Sequence, residues 1–331
     1  MIRPPTGCLP PPDSREGVTI RPLDVVLLSN PRSGRGRAAR LVRELAGFVA
    51  GEGHRVTVLD LALRTGTEEA ERRVTDFDAE RFKGADALVV AGGDGTLHHL
   101  AELAIRTETP LYHVPTGNEN LFAREWRMDR SVRTLLRALA KNEVVRADAG
   151  VANGHTFLLM CSLGPDASVV RRLARVRTRA IGHLAYVAPT IAELAAPHFP
   201  PLTIAVDGRT VVEGERGLAI VGNCREYALR INPCRRARMD DGLLDLAFLP
   251  CRTIGRALSW LAGCRFATNL RDPDALYVTG RRIEVRSAEP AWYQVDGEAP
   301  FWASEHGLGG PVGEPLLELS VRAGVLPVLR P

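Results

Sequence analysis

The apolar positions along this chain keep two rhythms, and the change between them divides it. Short continuous apolar runs at 24–29, 56–59, 86–91 and 111–114 read as buried strands. Between them, apolar residues recur at helical spacing over 37–51, 68–82, 96–106 and within 120–141. Strands alternating with helices predict a parallel sheet covered by helices on both faces. After about residue 144 the rhythm shortens. Asn153-Gly154 and Asp207-Gly208 each sit between apolar or β-branched runs, as two-residue hairpin turns do. Helical interruptions are expected near 169–195 and 253–264. The fold class expected is an α/β domain over 22–143 followed by a mainly antiparallel β-sandwich domain over 144–316. Residues 1–21 hold Pro4, Pro5, Pro10, Pro11 and Pro12 among scattered charges and read as a disordered leader.

Composition narrows the chemistry. A chain of 331 residues, 45% hydrophobic and 25% charged, is long enough for two ordinary globular domains. Its net charge of +4 suits an anionic ligand or a membrane surface. With 5% aromatic residues and no basic–aromatic interleaving, nothing points to nucleic acid. Lys83 and Lys141 are the only lysines, so no lysine stands beside a glycine-rich turn, which excludes a Walker-type phosphate loop. Phosphate must be met by backbone, arginine or metal. The six cysteines show no C-x-x-C pair, so reduced, buried thiols in a cytosolic protein are expected. There is no signal-peptide core, and no apolar run reaches the ~18 residues of a membrane span.

The most informative stretch follows the third strand. Gly92-Gly93-Asp94-Gly95-Thr96-Leu97 strips bulky side chains from a strand-to-helix turn and so presents backbone N–H groups at a helix N-terminus, an anion site. Asp94 repels a bare phosphate but fits one accompanied by a divalent cation. Two similar loops follow neighbouring strands: Asn30-Pro31-Arg32-Ser33-Gly34, and Pro115-Thr116-Gly117-Asn118-Glu119-Asn120 ahead of Arg124. Each alone reads equally as a glycine turn. Three at successive strand ends converge on one crevice, where open α/β sheets bind ligands.

Later segments carry weaker signals. Asp240, Asp241 and Asp245 surround a turn that could hold a hard cation or simply be solvated. Asp296-Gly297-Glu298 places two acids where a strand meets a turn, and a carboxylate there can accept a hydroxyl proton or merely form the turn. Five arginines fall within 171–179, ahead of an apolar helical run over 181–194, and suit either an anionic lipid surface or a solvated helix face.

In these blocks, taken in order, the chain resembles the diacylglycerol kinase catalytic-domain family, which includes bacterial lipid kinases and sphingosine kinases. The resemblance runs from about Leu23 to Pro331. It implies a two-domain lipid kinase with its active site in the cleft between domains, and a last segment, 317–331, that returns to the nucleotide-binding domain. It implies ATP and Mg2+ as cofactors, a lipid substrate such as diacylglycerol, and a cytoplasmic protein touching the inner membrane face. Asn30, Pro31, Arg32, Ser33, Gly34, Gly92, Gly93, Gly95, Thr96, Leu97 and His98 would line the nucleotide, with Thr65, Asn118 and Glu298. Asp94 would bind magnesium beside the phosphates, and Asp296 aligns with the family's general base. Asp241 matches a structural metal ligand, helped by the backbone carbonyls of Arg238 and Leu243. The family usually has Thr at Asn118 and Asn-Glu at His98-His99. The other readings of the same blocks are a soluble-substrate kinase of the NAD-kinase type and a non-catalytic nucleotide- or lipid-binding relative.

Overall fold

The computed structural model describes residues 21–31, 37–61, 82–165, 167, 168, 170, 198–289, 291–298 and 317–331. The leader expected over 1–21 (all but Arg21), the helices expected over 68–82 (all but Phe82) and 169–195 (all but Val170), the arginine run at 171–179, and Arg32, Ser33, Gly34 and Thr65 lie outside the described residues.

Four parallel strands open the chain: β1 (Asp24–Ser29), β2 (Arg55–Asp60), β3 (Ala87–Gly92) and β4 (Leu111–Pro115). They lie in the order β4-β3-β1-β2. β3 is buried along its whole length, which explains why its sequence is a continuous apolar run. The flanking helices read as stripes. α1 (Arg37–Gly51) buries Ala38, Val42, Leu45 and Val49, and α2 (Asp94–Thr107) buries Leu97, Leu100, Ala101 and Ala104. α2 starts at Asp94, two residues before the apolar periodicity begins, because Gly93 is its N-cap. Two shorter helices, α3 (Leu121–Glu125) and α4 (Val132–Lys141), follow β4. Each fully buried Leu or Val in this first core contributes on the order of 1.5–3 kcal/mol.

The second half is antiparallel. Its strands are β5 (Val144–Ala152), β6 (His155–Phe157), β7 (Met160–Leu163), β8 (Pro201–Val206), β9 (Arg209–Gly222), β10 (Leu244–Pro250), β11 (Leu276–Gly280), β12 (Arg282–Ser287), β13 (Tyr293–Val295) and β14 (Leu317–Leu329). Both expected hairpin turns are present, with left-handed backbone at Asn153 (φ 46°), Gly154 (φ 85°), Asp207 (φ 47°) and Gly208 (φ 80°). The long strand β9 joins two layers: β8 pairs with Arg209–Arg216, and β7 and β10 pair with the residues after it. Between the layers a second core collects Leu202, Ile204, Ile283 and Val285 from one sheet and Val221, Leu244, Leu246 and Phe248 from the other. The alternate residues of β10, Ala247 and Leu249, face outward and are covered by α5 (Ile254–Phe266) through Trp260 and Cys264. Five cysteines, Cys161, Cys224, Cys234, Cys251 and Cys264, are buried free thiols.

The first sheet is not wholly parallel, as the strand–helix alternation alone suggests. β14 runs beside β4 at Val328–Leu111, and β5 pairs antiparallel with β14 from Val144 to Ala152. A continuous path of hydrogen-bonded strands therefore links both halves. β14 supplies Leu317 and Leu319 to the second core and Leu326, Val328 and Leu329 to the first. Its register slips between Arg322 and Leu326, around Gly324 at φ 62°.

Candidate active site

The loops at the ends of β1, β3 and β4 meet. Asn30 is buried at the end of β1, and its Nδ2 donates to Thr96 Oγ1 in the first turn of α2 at 3.1 Å. The Thr116 N–H donates to the Gly92 carbonyl at 2.8 Å, joining the third loop to the glycine turn. Small residues make these approaches possible. A Cβ on Gly92 would stand 2.7 Å from Thr96 Cβ, and one on Gly117 would stand 2.7 Å from Gly93 Cα. No side chain caps the N-terminus of α2, so its first N–H groups are left to the turn and to whatever binds there. Buried His113 on β4 supports the turn from below, with Nε2 3.0 Å from the Gly92 carbonyl. Burial pushes the His113 imidazole down to about 4. It is therefore neutral at pH 7, and Nε2 must carry the proton to make this bond.

Asp94 does more than the sequence suggests. Its carboxylate accepts from the Leu121 and Phe122 N–H groups at 2.9 and 3.2 Å, and so caps α3 from outside that helix. Burial pushes the Asp94 carboxyl up to about 6 despite these two donors, and the nearby Asp296 carboxylate adds to the rise. A carboxylate whose charge is disfavoured in this way is a fitting partner for a dication, which would restore it. Leu97 is buried in the first core, so only its backbone is available to a nucleotide. Asn118 is exposed in the third loop, and Pro31 is half-buried beside the end of β1. A cavity of about 270 Å³ beside Thr116 is lined by Arg37, Arg40 and Arg130 together with Leu41 and Glu44. It supplies arginines where lysines are missing.

Asp296 comes from the other half. Val295 and Glu298 exchange backbone hydrogen bonds at 3.0 and 2.8 Å around a two-residue turn, in which Asp296 has φ 52° and Gly297 φ 79°. Gln294 holds the turn, accepting from the Gly297 N–H at 2.7 Å and donating to Ser162 Oγ at 2.6 Å. The Asp296 carboxylate accepts from Leu158 N–H (2.8 Å), Leu159 N–H (2.7 Å) and Met160 N–H (3.1 Å). His98 Nδ1 lies 2.9 Å from its remaining side, at Oδ2. Glu298 is buried next to it. Asp94 and His98 are four residues apart on α2 and share one of its faces, so this helix brings the turn at the end of β3 toward Asp296.

Other side chains bind the two halves beside the site. Arg124 on α3 donates to Glu119 Oε2 at 3.1 Å, to Glu226 and to the Tyr227 carbonyl at 3.1 Å. Glu102 on α2 accepts from Thr156 Oγ1 and from Arg322 Nη1 of β14, both at 2.8 Å. Asp148 was missed by sequence reasoning. It is buried, and its two oxygens accept from the Gly242 and Gly324 N–H groups, both at 2.7 Å. It thereby fixes the turn that carries Asp241. Asp241 itself is exposed and accepts from the Leu243 N–H at 3.1 Å, while Arg238 pairs with Asp240 rather than with Asp241. Among the described residues, no group of three or more His, Cys, Asp or Glu side chains is placed to hold a metal ion.

This fold and these loops match families already known. Residues 24–152 match the diacylglycerol kinase catalytic domain, and residues 160–303 match the YegS C-terminal NAD kinase beta sandwich-like domain. A "Probable lipid kinase YegS-like" of Pseudomonas aeruginosa is 31% identical over 72% of this chain and 80% of its own length. A "Diacylglycerol kinase" of Mycobacterium tuberculosis is 30% identical over 67% of this chain and 72% of its own length. Among the relatives compared, the share of the relative's own length that this chain spans falls as low as 65%. The crystal structure of a putative diacylglycerol kinase from Bacillus anthracis superposes with a TM-score of 0.72, covering 96% of this chain and 99% of that one at 19% identity, a likeness of fold. The class is thus that of the kinases built on this two-part fold. The chain belongs to the diacylglycerol kinase catalytic-domain family of lipid kinases.

Proposed function

We propose that this protein transfers the γ-phosphoryl group of ATP to a hydroxyl of a lipid, with diacylglycerol the leading acceptor, in the cleft between its two halves. The observation that carries this reading is the approach of α2 to Asp296 through His98 at 2.9 Å, which joins a phosphate-side turn to an acceptor-side carboxylate. Phosphoryl transfer needs little covalent help from a protein, and positioning and charge neutralisation supply most of the catalysis. The glycine turn, the N–H groups of α2 and the arginines around Thr116 meet the phosphates. Asp94 is the residue that would hold Mg2+, whose charge would offset the negative charge developing on the phosphates. Asp296 belongs to the proton-accepting side. Asp241, with the carbonyls of Arg238 and Leu243, offers a further cation position with a structural role.

The test is transfer of label from radiolabelled ATP into lipid extract, over a panel of diacylglycerol, phosphatidylglycerol and sphingosine in mixed micelles. Wild type labels at least one lipid and Asp296→Asn labels none. Label entering NAD in place of any lipid would replace this reading with a soluble-substrate kinase. ATP binding without transfer would leave a binding module.

The membrane side of the reading rests on α5. Leu258 and Phe266 are exposed by 48% and 73%, and Leu261 shares their outward face. Arg265 lies against the Phe266 ring, and Arg252 and Arg271 are exposed just before and after the helix. An apolar stripe bordered by arginines complements an anionic lipid surface. No helix among the described residues is long and apolar enough to cross a membrane. Co-sedimentation with phosphatidylglycerol vesicles should fall severalfold in L258S/L261S/F266S, and unchanged sedimentation would refute this surface.

A further inference from the structure

The connection from β9 to β10 crosses between the two halves. It starts beside Asp296, where the Asn223 and Cys224 N–H groups both donate to the Leu159 carbonyl, at 2.8 and 3.2 Å, and the Leu159 N–H donates to Asp296. It reaches the third loop of the first half, where the Leu229 N–H donates to Glu119 Oε2 at 3.2 Å. Charged side chains hold it there. Arg225 donates to Glu125 at 3.0 Å, and Arg124 donates to Glu226 and to the Tyr227 carbonyl. The tip of this crossing is strained. Leu229 and Arg230, at φ 54° and 57°, are the only consecutive pair of non-glycine residues in left-handed backbone among the described residues. A Cβ is disfavoured in that conformation, and glycine is not. Packing does not repay the strain. Leu229 is 61% exposed, and Arg230 is exposed with no carboxylate partner among the described residues. Tyr227 and Ile231, on either side, pack against the core that α5 covers from outside. The turn therefore lies between α5, with its exposed Leu258, Leu261 and Phe266, and the cleft.

We infer that Leu229 and Arg230 are the contact a lipid acceptor makes as it passes from the α5 surface into the cleft. Leu229 meets an acyl chain, and Arg230 meets the anionic headgroups around it. This deepens the lipid-kinase reading and rests on it. An apolar side chain beside an unpaired cation suits the boundary between acyl chains and headgroups. Strain kept where the fold gains nothing from the side chains belongs with ligand contacts. Glycine at either position relaxes the backbone and removes the contact, so stability and acceptor binding are expected to part company.

The experiment compares Leu229→Gly, Leu229→Met and Arg230→Gly with wild type, first by thermal melting and then with radiolabelled ATP and magnesium. The acceptors are dioleoylglycerol in mixed micelles, soluble dihexanoylglycerol, and dioleoylglycerol in phosphatidylcholine vesicles with and without phosphatidylglycerol. L229G is expected to melt no lower than wild type. Its KM for dioleoylglycerol is expected to rise about 5–20-fold, with KM for ATP and for dihexanoylglycerol unchanged. L229M, which keeps an apolar side chain, is expected to recover the KM for dioleoylglycerol. R230G is expected to lose the lowering of KM that phosphatidylglycerol gives wild type in vesicles. An L229G enzyme with the wild-type KM for dioleoylglycerol, an L229G protein that melts below wild type, or an R230G enzyme as responsive to phosphatidylglycerol as wild type overturns the inference and leaves the kinase reading standing. A wild-type protein that labels no lipid overturns both.

Discussion

Asp94 is held at a cost that a bound cation would remove. Its folded value of about 6 lies above the unfolded value near 3.8, so the folded chain binds the proton more tightly. The stability this gives is present below about pH 4 and is lost as pH rises through 6. At pH 7 the loss is on the order of 2–3 kcal/mol, with the bonds to Leu121 and Phe122 already counted in it. The metal-free Asp94→Asn variant should therefore be more stable than wild type by about 1–2 kcal/mol at pH 7, and the difference should vanish near pH 4. The same substitution should abolish transfer, and magnesium should raise the melting temperature of the wild type more than that of the variant, which keeps the Asp241 position. Scanning fluorimetry with and without magnesium reads both effects. A variant that melts below wild type at pH 7 would show that the capping bonds outweigh burial. The glycines and Asn30 were legible in the sequence because their small or amide side chains are what such turns demand. The bond of Asp94 to α3 was not, since a carboxylate that caps a helix starting 27 positions later leaves no local signature.

At the scale of elements, the joint around Asp148 holds a turn and a strand bulge at once. Gly242 and Gly324 both direct their N–H groups at its carboxylate, so Asp148→Ala leaves two donors without their partner. The expected loss is about 2–4 kcal/mol in urea unfolding, since a buried unsatisfied group costs about 1–3 kcal/mol. A loss under about 0.5 kcal/mol would mean that water replaces the carboxylate. The first four strands and the helices α1 to α5 were readable from periodicity, and both hairpin turns from their Asn-Gly and Asp-Gly pairs. What periodicity did not show is which strands pair across long separations. The partners of Asp148 lie 94 and 176 positions away, and His98 meets Asp296 across 198. No window of local sequence contains such pairs.

Across the whole molecule, buried histidines make the protein acid-sensitive. Burial pushes His99 down to about 3, with His98 adding to the effect, and burial pushes His113 down to about 4. Both stay neutral in the folded chain while the unfolded chain takes up protons below about 6.5. Stability is therefore lost as pH falls from 6.5 toward these values, by up to about 1.4 kcal/mol per pH unit for each group. Asp94 offsets one group's share between pH 6 and 4. Urea midpoints should thus fall steadily below pH 6.5, and His99→Gln should make the fall shallower. An identical slope in that variant would mean that His99 is not held neutral.

The last strand has a consequence for how the chain is made. A ribosome releases β1 to β4 and their helices long before Leu326, Val328 and Leu329 emerge, yet those three residues are buried in the first core and Val328 lies beside β4. Until then one edge of the opening sheet stays bare, and a bare edge invites pairing with other chains. The nascent protein thus passes through an interval, while the second half is being made, in which its first half is built but unsealed. Helpers that shield open strand edges should matter most to it during that interval.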